Sequence, residues 1–139
     1  MPQLDFSNRV AIVTGAGGGL GRAYAHDLAA RGAALVINDL GTSMDSAGQS
    51  ASFADAVAEE IRAAGGKAIA NYDSVASRQG GGAIVEAALS AFGRADILVN
   101  SAGTIRNMPF ANSTDADIEH LIGVHLLGAI NVAQPAINA

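Results

Sequence analysis

A chain of 139 residues with 50% hydrophobic side chains is long enough for one globular domain with its own core and short for two. Its formal charge of −5, with eight Lys and Arg in all, argues against a nucleic-acid partner, because non-specific affinity for that backbone comes from cationic side chains neutralising phosphates. There is no Cys, hence no disulfide framework, thiolate nucleophile or zinc–thiolate centre. The N-terminus, Met1 to Arg9, lacks a basic segment followed by an apolar one, and no window reaches about 18 uninterrupted apolar residues. The expectation is a soluble cytoplasmic protein with no membrane partner.

Residues 10–14 are a short apolar run that ends in a glycine cluster, which predicts a buried strand. Beyond Gly21, Ala23, Ala25, Leu28 and Ala29 recur at helical spacing until Gly32 stops the pattern. A second strand is predicted over 34–38, ending at Asp39, followed by a polar, Gly/Ser-rich loop over 41–52. That loop is longer than the usual connection of about 2–6 residues, which points to function or mobility. A second helix is predicted over 53–64, with Val57 and Ile61 on one face, then a strand over 68–72. The third helix is placed at about 83–92 with Ile84, Ala88 and Leu89 inward. Its approach, Gly80-Gly81-Gly82, is expected to fray, since each Gly costs about 1 kcal/mol against Ala in a helix. A fourth strand over 97–100, a loop over 101–113 and a single helix from the capping-box-like Thr114–Asp117 to near Pro135 complete the chain. Strands apolar throughout that alternate with helices predict an α/β fold, a Rossmann-type doubly wound parallel sheet, ending after the fourth strand and the helix that follows it.

The glycine run Thr14-Gly15-Ala16-Gly17-Gly18-Gly19-Leu20-Gly21 falls where the first strand hands over to the first helix. Glycines there let the backbone turn tightly and approach a pyrophosphate, which helix amides and the positive dipole end can hold. By itself such a run is also compatible with a turn that binds nothing. Asp39 stands 18 residues after Gly21 at the end of the second strand, near the offset of about 20 at which an acid hydrogen-bonds the adenosine ribose. An acid there repels a 2′-phosphate, and neither the glycine loop nor the residues directly after Asp39 supply a Lys or Arg to hold one, so NAD is preferred over NADP.

The glycines at 15, 19 and 21 do not follow the G-x-G-x-x-G spacing. They form Thr-Gly-x-x-x-Gly-x-Gly, and this variant resembles the short-chain dehydrogenase/reductase family. The resemblance continues through Asp39, through Asp73 at the end of the third strand, and through Asn100-Ser101-Ala102-Gly103, similar to the family's Asn-Asn-Ala-Gly motif. It implies a cofactor site of Gly15, Gly17, Gly18, Gly19, Leu20 and Gly21 around the pyrophosphate, Asp39 at the ribose, Asp73, Ser74 and Val75 at the adenine side, and Asn100, Ala102 and Gly103 beside the cofactor. Smaller pieces, among them Tyr24, Asn38-Asp39-Leu40-Gly41, Asn71-Tyr72-Asp73-Ser74-Val75 and Val124-His125-Leu126, most resemble the (3R)-hydroxyacyl-CoA dehydrogenase domains of multifunctional enzymes. They imply an acyl-CoA thioester or a related secondary alcohol or ketone as substrate.

Two positions depart from the family pattern. Ser101 replaces the second Asn of its motif, and His125 stands where the family usually has the Asn that helps position a proton-relay water. The family's chemistry also uses a Ser, a Tyr acting as general acid/base and a Lys four residues after it, because an unassisted Tyr near pKa 10 is a poor base. Only Tyr24 and Tyr72 occur here, with Leu28 and Ala76 four residues on, so no catalytic residue is assigned and residues 1–139 are expected to be a dinucleotide-binding domain that lacks the catalytic half. No metal site is assigned: His120 and His125 lie about 140° apart around one helix. Arg106 and Asn107 fall where the family lines its substrate entrance, although a plain loop role suffices, and Asp115, Asp117 and Glu119 read as capping and solvated charges. The 139 residues alone are expected to expose the fourth strand as an apolar edge and to associate or be poorly stable. The complete protein is expected to be a homo-oligomeric enzyme, the alternative being a catalytically inactive NAD-binding or interaction module.

Overall fold

Four short strands, β1 (Val10–Thr14), β2 (Ala34–Asn38), β3 (Lys67–Asn71) and β4 (Ile97–Asn100), form one parallel sheet in the order β3-β2-β1-β4. The computed structural model describes residues 4–41 and 52–139. Among the described residues, α1 (Gly19–Ala30), α2 (Ser52–Ala63) and α3 (Arg78–Phe92) alternate with the strands, and α4 (Asp115–Ile122) and α5 (Gly128–Ile137) follow β4. This is the expected doubly wound architecture. The long loop read over 41–52 falls on residues 42–51, outside the described residues, apart from Gly41 and Ser52, which opens α2.

Alternation along the strands builds two cores. Ala11, Val13, Leu35 and Ile37 point to the face covered by α1 and α2, where Ala25, Val57 and Ile61 meet them. Val10, Ile12 and Val36 point to the other face and pack on Ile84, Val85 and Ala88 of α3 and Val132 of α5. Ile12, Leu35, Ile37, Ile61 and Ile84 are fully buried, each a contribution of about 1.5–3 kcal/mol. At the opposite end of the sheet from the glycine turn, Asp96 ties β4 to β1. Its carboxylate accepts from the Arg94 guanidinium, from Val10 N at 2.9 Å and from Arg9 at 3.0 Å. The Arg94 contact above all holds this carboxyl well below the usual carboxylate range.

The register lines the strand ends up in a row. Asn71 pairs with Asn38, Asn38 with Thr14, and Thr14 with Asn100, so a polar residue from each strand stands at the carboxyl edge of the sheet.

Several boundaries differ from the expected ones. β3 ends at Asn71 and excludes Tyr72, because the Asn71 side chain accepts from Asp73 N at 3.1 Å and turns the chain there. Helix α3 begins at Arg78, five residues before the expected start, with Ser77 as its cap, accepting from Gly80 N at 3.1 Å. Gly80 and Gly81 are buried positions inside it: a Cβ on Gly80 would lie 2.0 Å from Ser74 O, and one on Gly81 2.3 Å from Asn131 O. Two of the three glycines read as a fraying entrance are where α3 touches its neighbours. The last helix is interrupted by a π-helical segment, Gly123–Leu127, between α4 and α5. Its start agrees with the reading, Thr114 and Asp117 forming a reciprocal capping box.

Candidate functional site

The turn from β1 into α1 is shaped by glycines for two different reasons. Gly15 has φ +64°, and a Cβ there would lie 2.7 Å from Ala102 Cα, so this turn lies against the loop that follows β4. Gly21 is the point where α1 crosses back over the turn, and a Cβ would meet Gly15 O at 2.2 Å. Gly18 and Gly19, by contrast, face open space, with nothing within 4 Å of a Cβ built on either. Gly18 caps α1 without any side-chain hydrogen bond, and the first amides of a helix have no acceptor inside it. The result is a bare helix N-terminus opening onto a concave backbone, with Leu20 exposed beside it. A pyrophosphate fits that cradle, whereas side chains larger than hydrogen would fill it.

Asp39 lies beside this turn. Gly17 N donates to its Oδ2 at 2.9 Å and Gly41 N to its Oδ1 at 2.8 Å. A Cβ on Gly17 would stand 2.8 Å from the Asp39 carboxyl carbon, so only glycine lets the acid in. A carboxylate offers about four acceptor positions, which leaves two for other donors.

The loop after β4 is held to the glycine turn by a buried hydroxyl. Thr14 Oγ1 accepts from Ser101 N at 3.2 Å and from Ala102 N at 3.1 Å. Sequence reasoning took Thr14 as part of a motif and missed this tie; the signal was a lone hydroxyl at the end of an apolar strand. The departure at Ser101 leaves the bracing intact, since its main chain makes the contact.

His125 meets the same loop from the other side. Its Nε2 lies 2.7 Å from Thr104 O and 3.1 Å from Thr104 N, and its ring occupies the place a side chain at Gly103 would need. The π-helical turn carries it there. Val75, at the start of the third crossover, is fixed by Asn131 Nδ2 donating to its carbonyl at 2.9 Å and by contact with Gly128. Ser74 closes the turn, accepting from Ala76 N at 3.2 Å. Thr14, Val75, Asn100, Ala102 and His125 thereby share the wall of a small cavity of about 100 Å³ at the carboxyl edge of the sheet. Asp73, at the end of β3, is held by two amides, Asn38 and Asn71, neither of which the sequence reading singled out as a site residue. Arg106 is drawn to the start of α4, where its Nε donates to Asp117 at 3.1 Å. Donation from Thr114 and then the Arg106 cation hold the Asp117 carboxyl below its ordinary value.

A parallel sheet wound on both faces, with its glycine turn and its strand-end polar row at one edge, defines a Rossmann-type α/β protein. The chain belongs to the short chain dehydrogenase family, whose model matches residues 9–139. It is 49% identical over 134 residues to the peroxisomal hydratase-dehydrogenase-epimerase of Neurospora crassa, an alignment covering 96% of this chain and 15% of that protein. A solved short chain dehydrogenase from Mycobacterium avium superposes with a TM-score of 0.86 at 40% identity, covering 96% of this chain and 46% of that one. A 7α-hydroxysteroid dehydrogenase solved with NADH and 7-oxo glycochenodeoxycholic acid superposes with a TM-score of 0.84 at 30% identity, covering 96% and 49%. This chain therefore spans less than half the length of each.

Proposed function

We propose that residues 1–139 are the dinucleotide-binding domain of an NAD-dependent oxidoreductase that exchanges hydride with a secondary alcohol or ketone, a 3-hydroxyacyl-CoA thioester being the substrate class favoured. The observation that carries this is the convergence of the open glycine turn, Asp39 and the loop 100–103 at one edge of the sheet. Gly15, Gly19 and Gly21 shape the pyrophosphate cradle, Gly17, Gly18 and Leu20 complete it, and Asp39 receives the ribose hydroxyls. Asp73, Ser74 and Val75 border the adenine, and Asn100, Ala102 and Gly103 border the rest of the cofactor. NAD, when bound, supplies the hydride acceptor.

Preference for NAD over NADP follows from charge. Asp39 would face a 2′-phosphate, and the guanidinium that follows the glycine turn, Arg22, is turned to Glu60 at 2.8 Å and 3.1 Å. The acyl-CoA assignment draws on the pieces resembling hydroxyacyl-CoA dehydrogenase domains and on a relative named for a dehydrogenase activity.

Proton transfer requires groups outside these residues, since neither Tyr24 nor Tyr72 has a Lys four positions on. That observation favours, as a second reading, a module that binds NAD without turning it over. Titration of the full-length protein with NAD and NADP tests the first reading. NAD at 100 times its Kd is expected to stabilise by about 2.7 kcal/mol, and Asp39→Ala to weaken NAD about tenfold while bringing NADP closer to it. Absence of any NAD-induced stabilisation sinks both readings; binding without oxidation of a 3-hydroxyacyl-CoA selects the second.

A homo-oligomer is supported by an apolar stripe on the last helix, where Ile118, Ile122, Leu126 and Ile130 are exposed at four-residue intervals. The span Asp115–Ile137, 23 residues that hold an 18-residue window of mean hydropathy 1.3, is long and apolar enough to cross a membrane by those measures alone. Gly128, Asn131 and Val132 on its other side are buried, with Asn131 against α3, and a subunit contact accounts for the stripe. A cytoplasmic location stays a proposal beside a relative whose name is peroxisomal, and imaging of the full-length protein decides it.

A further inference from the structure

Two side chains of the last helical stretch grip the loop that leaves β4. From α4, Asp117 Oδ1 accepts from Arg106 Nε at 3.1 Å, and from the π-helical segment His125 Nε2 lies 2.7 Å from Thr104 O, close enough to serve it as a donor. These two residues are eight apart in sequence, and an ideal α-helix would set them about 80° apart around its axis. The extra residue in the turn Gly123–Leu127 unwinds the helix toward two whole turns in eight residues, which brings both to the side of the loop. The same unwinding acts one residue further on. Ile118 and Leu126, again eight apart, are aligned on the outward side, 38% and 57% exposed. Each member of that apolar pair therefore directly follows a residue that grips the loop. From His120 to Ala139 there is no Asp, Glu, Lys or Arg, so a second copy of the chain can pack on this face without burying like charges.

We propose that Asp117 and His125 are positioning residues that set loop 103–106 from the subunit contact, so that the associated protein binds NAD more tightly than the separated subunit. The proposal rests on the dinucleotide and oligomer readings above. Rewound as α-helix, Gly123–Leu127 would carry His125 away from Thr104 and Leu126 out of line with Ile118 together. A partner that packs on Ile118 and Leu126 favours the wide turn, and the wide turn presents His125 to Thr104. The loop then stands fixed between His125 on one side and the Thr14 hydroxyl on the other. Ordering it before the dinucleotide arrives removes part of the cost of binding. Such coupling is reciprocal, so NAD in turn tightens the subunit contact.

The test follows NAD affinity and sedimenting mass of the full-length protein across a dilution series. Affinity is expected to fall about tenfold as the subunits separate, and saturating NAD to shift the dissociation midpoint to lower protein concentration. Leu126→Glu supplies the separated subunit at any concentration and is expected to show the weaker Kd. His125→Ala removes the grip on Thr104 and leaves the stripe, so it is expected to associate as before while its Kd no longer follows association. His125→Gln, whose amide can still donate to Thr104 O, is expected to restore the dependence. Melting without ligand verifies that each variant is folded, and the dilution of the wild type needs none of them. The same NAD affinity in associated and separated wild type overturns the proposal and leaves NAD binding intact, as does a His125→Ala variant whose Kd still follows association. No NAD binding in any state removes the dinucleotide reading, and a wild type that sediments as a monomer throughout removes the oligomer reading, each taking this inference with it.

Discussion

Thr14 is 1% exposed, and its hydroxyl oxygen accepts from two main-chain amides, those of Ala102 and of Ser101, the latter also reaching Val99 O at 3.1 Å. Thr14→Val keeps the shape and removes the acceptor, so it is expected to cost about 1–3 kcal/mol in chemical denaturation, the lost acceptor of Ala102 N setting the scale. Unchanged stability would mean that the loop 101–104 does not depend on this tie. The same reasoning separates the glycines. Gly15 and Gly21 are required by contacts with Ala102 and with the turn itself, and Gly17 by Asp39, whereas Gly18 and Gly19 leave space unfilled. The sequence displays all of them alike. Which are steric requirements of the fold and which keep a surface open is decided by neighbours in space, from Gly15 beside Gly21 to Ala102 beside Gly15.

At the scale of elements, α3 shows where local propensity is overridden. Three consecutive glycines are poor helix formers, yet they lie inside α3, because two of them permit contacts that any side chain would block: Gly80 with the turn at Ser74, Gly81 with α5 at Asn131. Gly82 has nothing within 4 Å of a built Cβ. Gly81→Ala is therefore expected to destabilise by about 1–3 kcal/mol through overpacking, and Gly82→Ala to stabilise by about 0.5–1 kcal/mol through propensity. Thermal and chemical denaturation of the two variants side by side read this, and equal effects would refute the contact argument. The π-helical segment was equally hidden. Residues 114–135 carry an ordinary helical pattern, and only the position of His125 against Thr104 shows what the extra residue in the turn accomplishes.

Across the molecule as a whole, two apolar surfaces stand without cover among the described residues. β4 is an edge of the sheet, its residues half-buried or exposed, and an apolar groove of about 370 Å³ runs past Val99 between Leu4, Phe6, Tyr24 and Leu28. An edge strand presents unpaired backbone groups, so the 139 residues expressed alone are expected to associate. The second surface is the stripe on the last helix. Leu126→Glu in the full-length protein is expected to shift the sedimenting mass toward the monomer, because a buried unpaired carboxylate costs several kcal/mol at a subunit contact. An oligomer indifferent to that charge would place the interface elsewhere.

The sequence by itself determined the order and type of the strands and of most helices, since short apolar runs bounded by turn residues and helical hydrophobic patterns are local properties read from neighbouring residues. It also determined the glycine turn, the acids at the ends of β2 and β3 and the loop after β4 as one candidate cofactor edge, because each lies at a strand end in chain order. The parallel register that sets Asn71, Asn38, Thr14 and Asn100 in one row came from the tertiary structure alone. So did the amide pair behind Asp73 and the glycine contacts of α3. The row and the amide pair depend on pairings between residues 24 to 86 positions apart, and a hydrogen bond across strands leaves no period in the sequence that bears it.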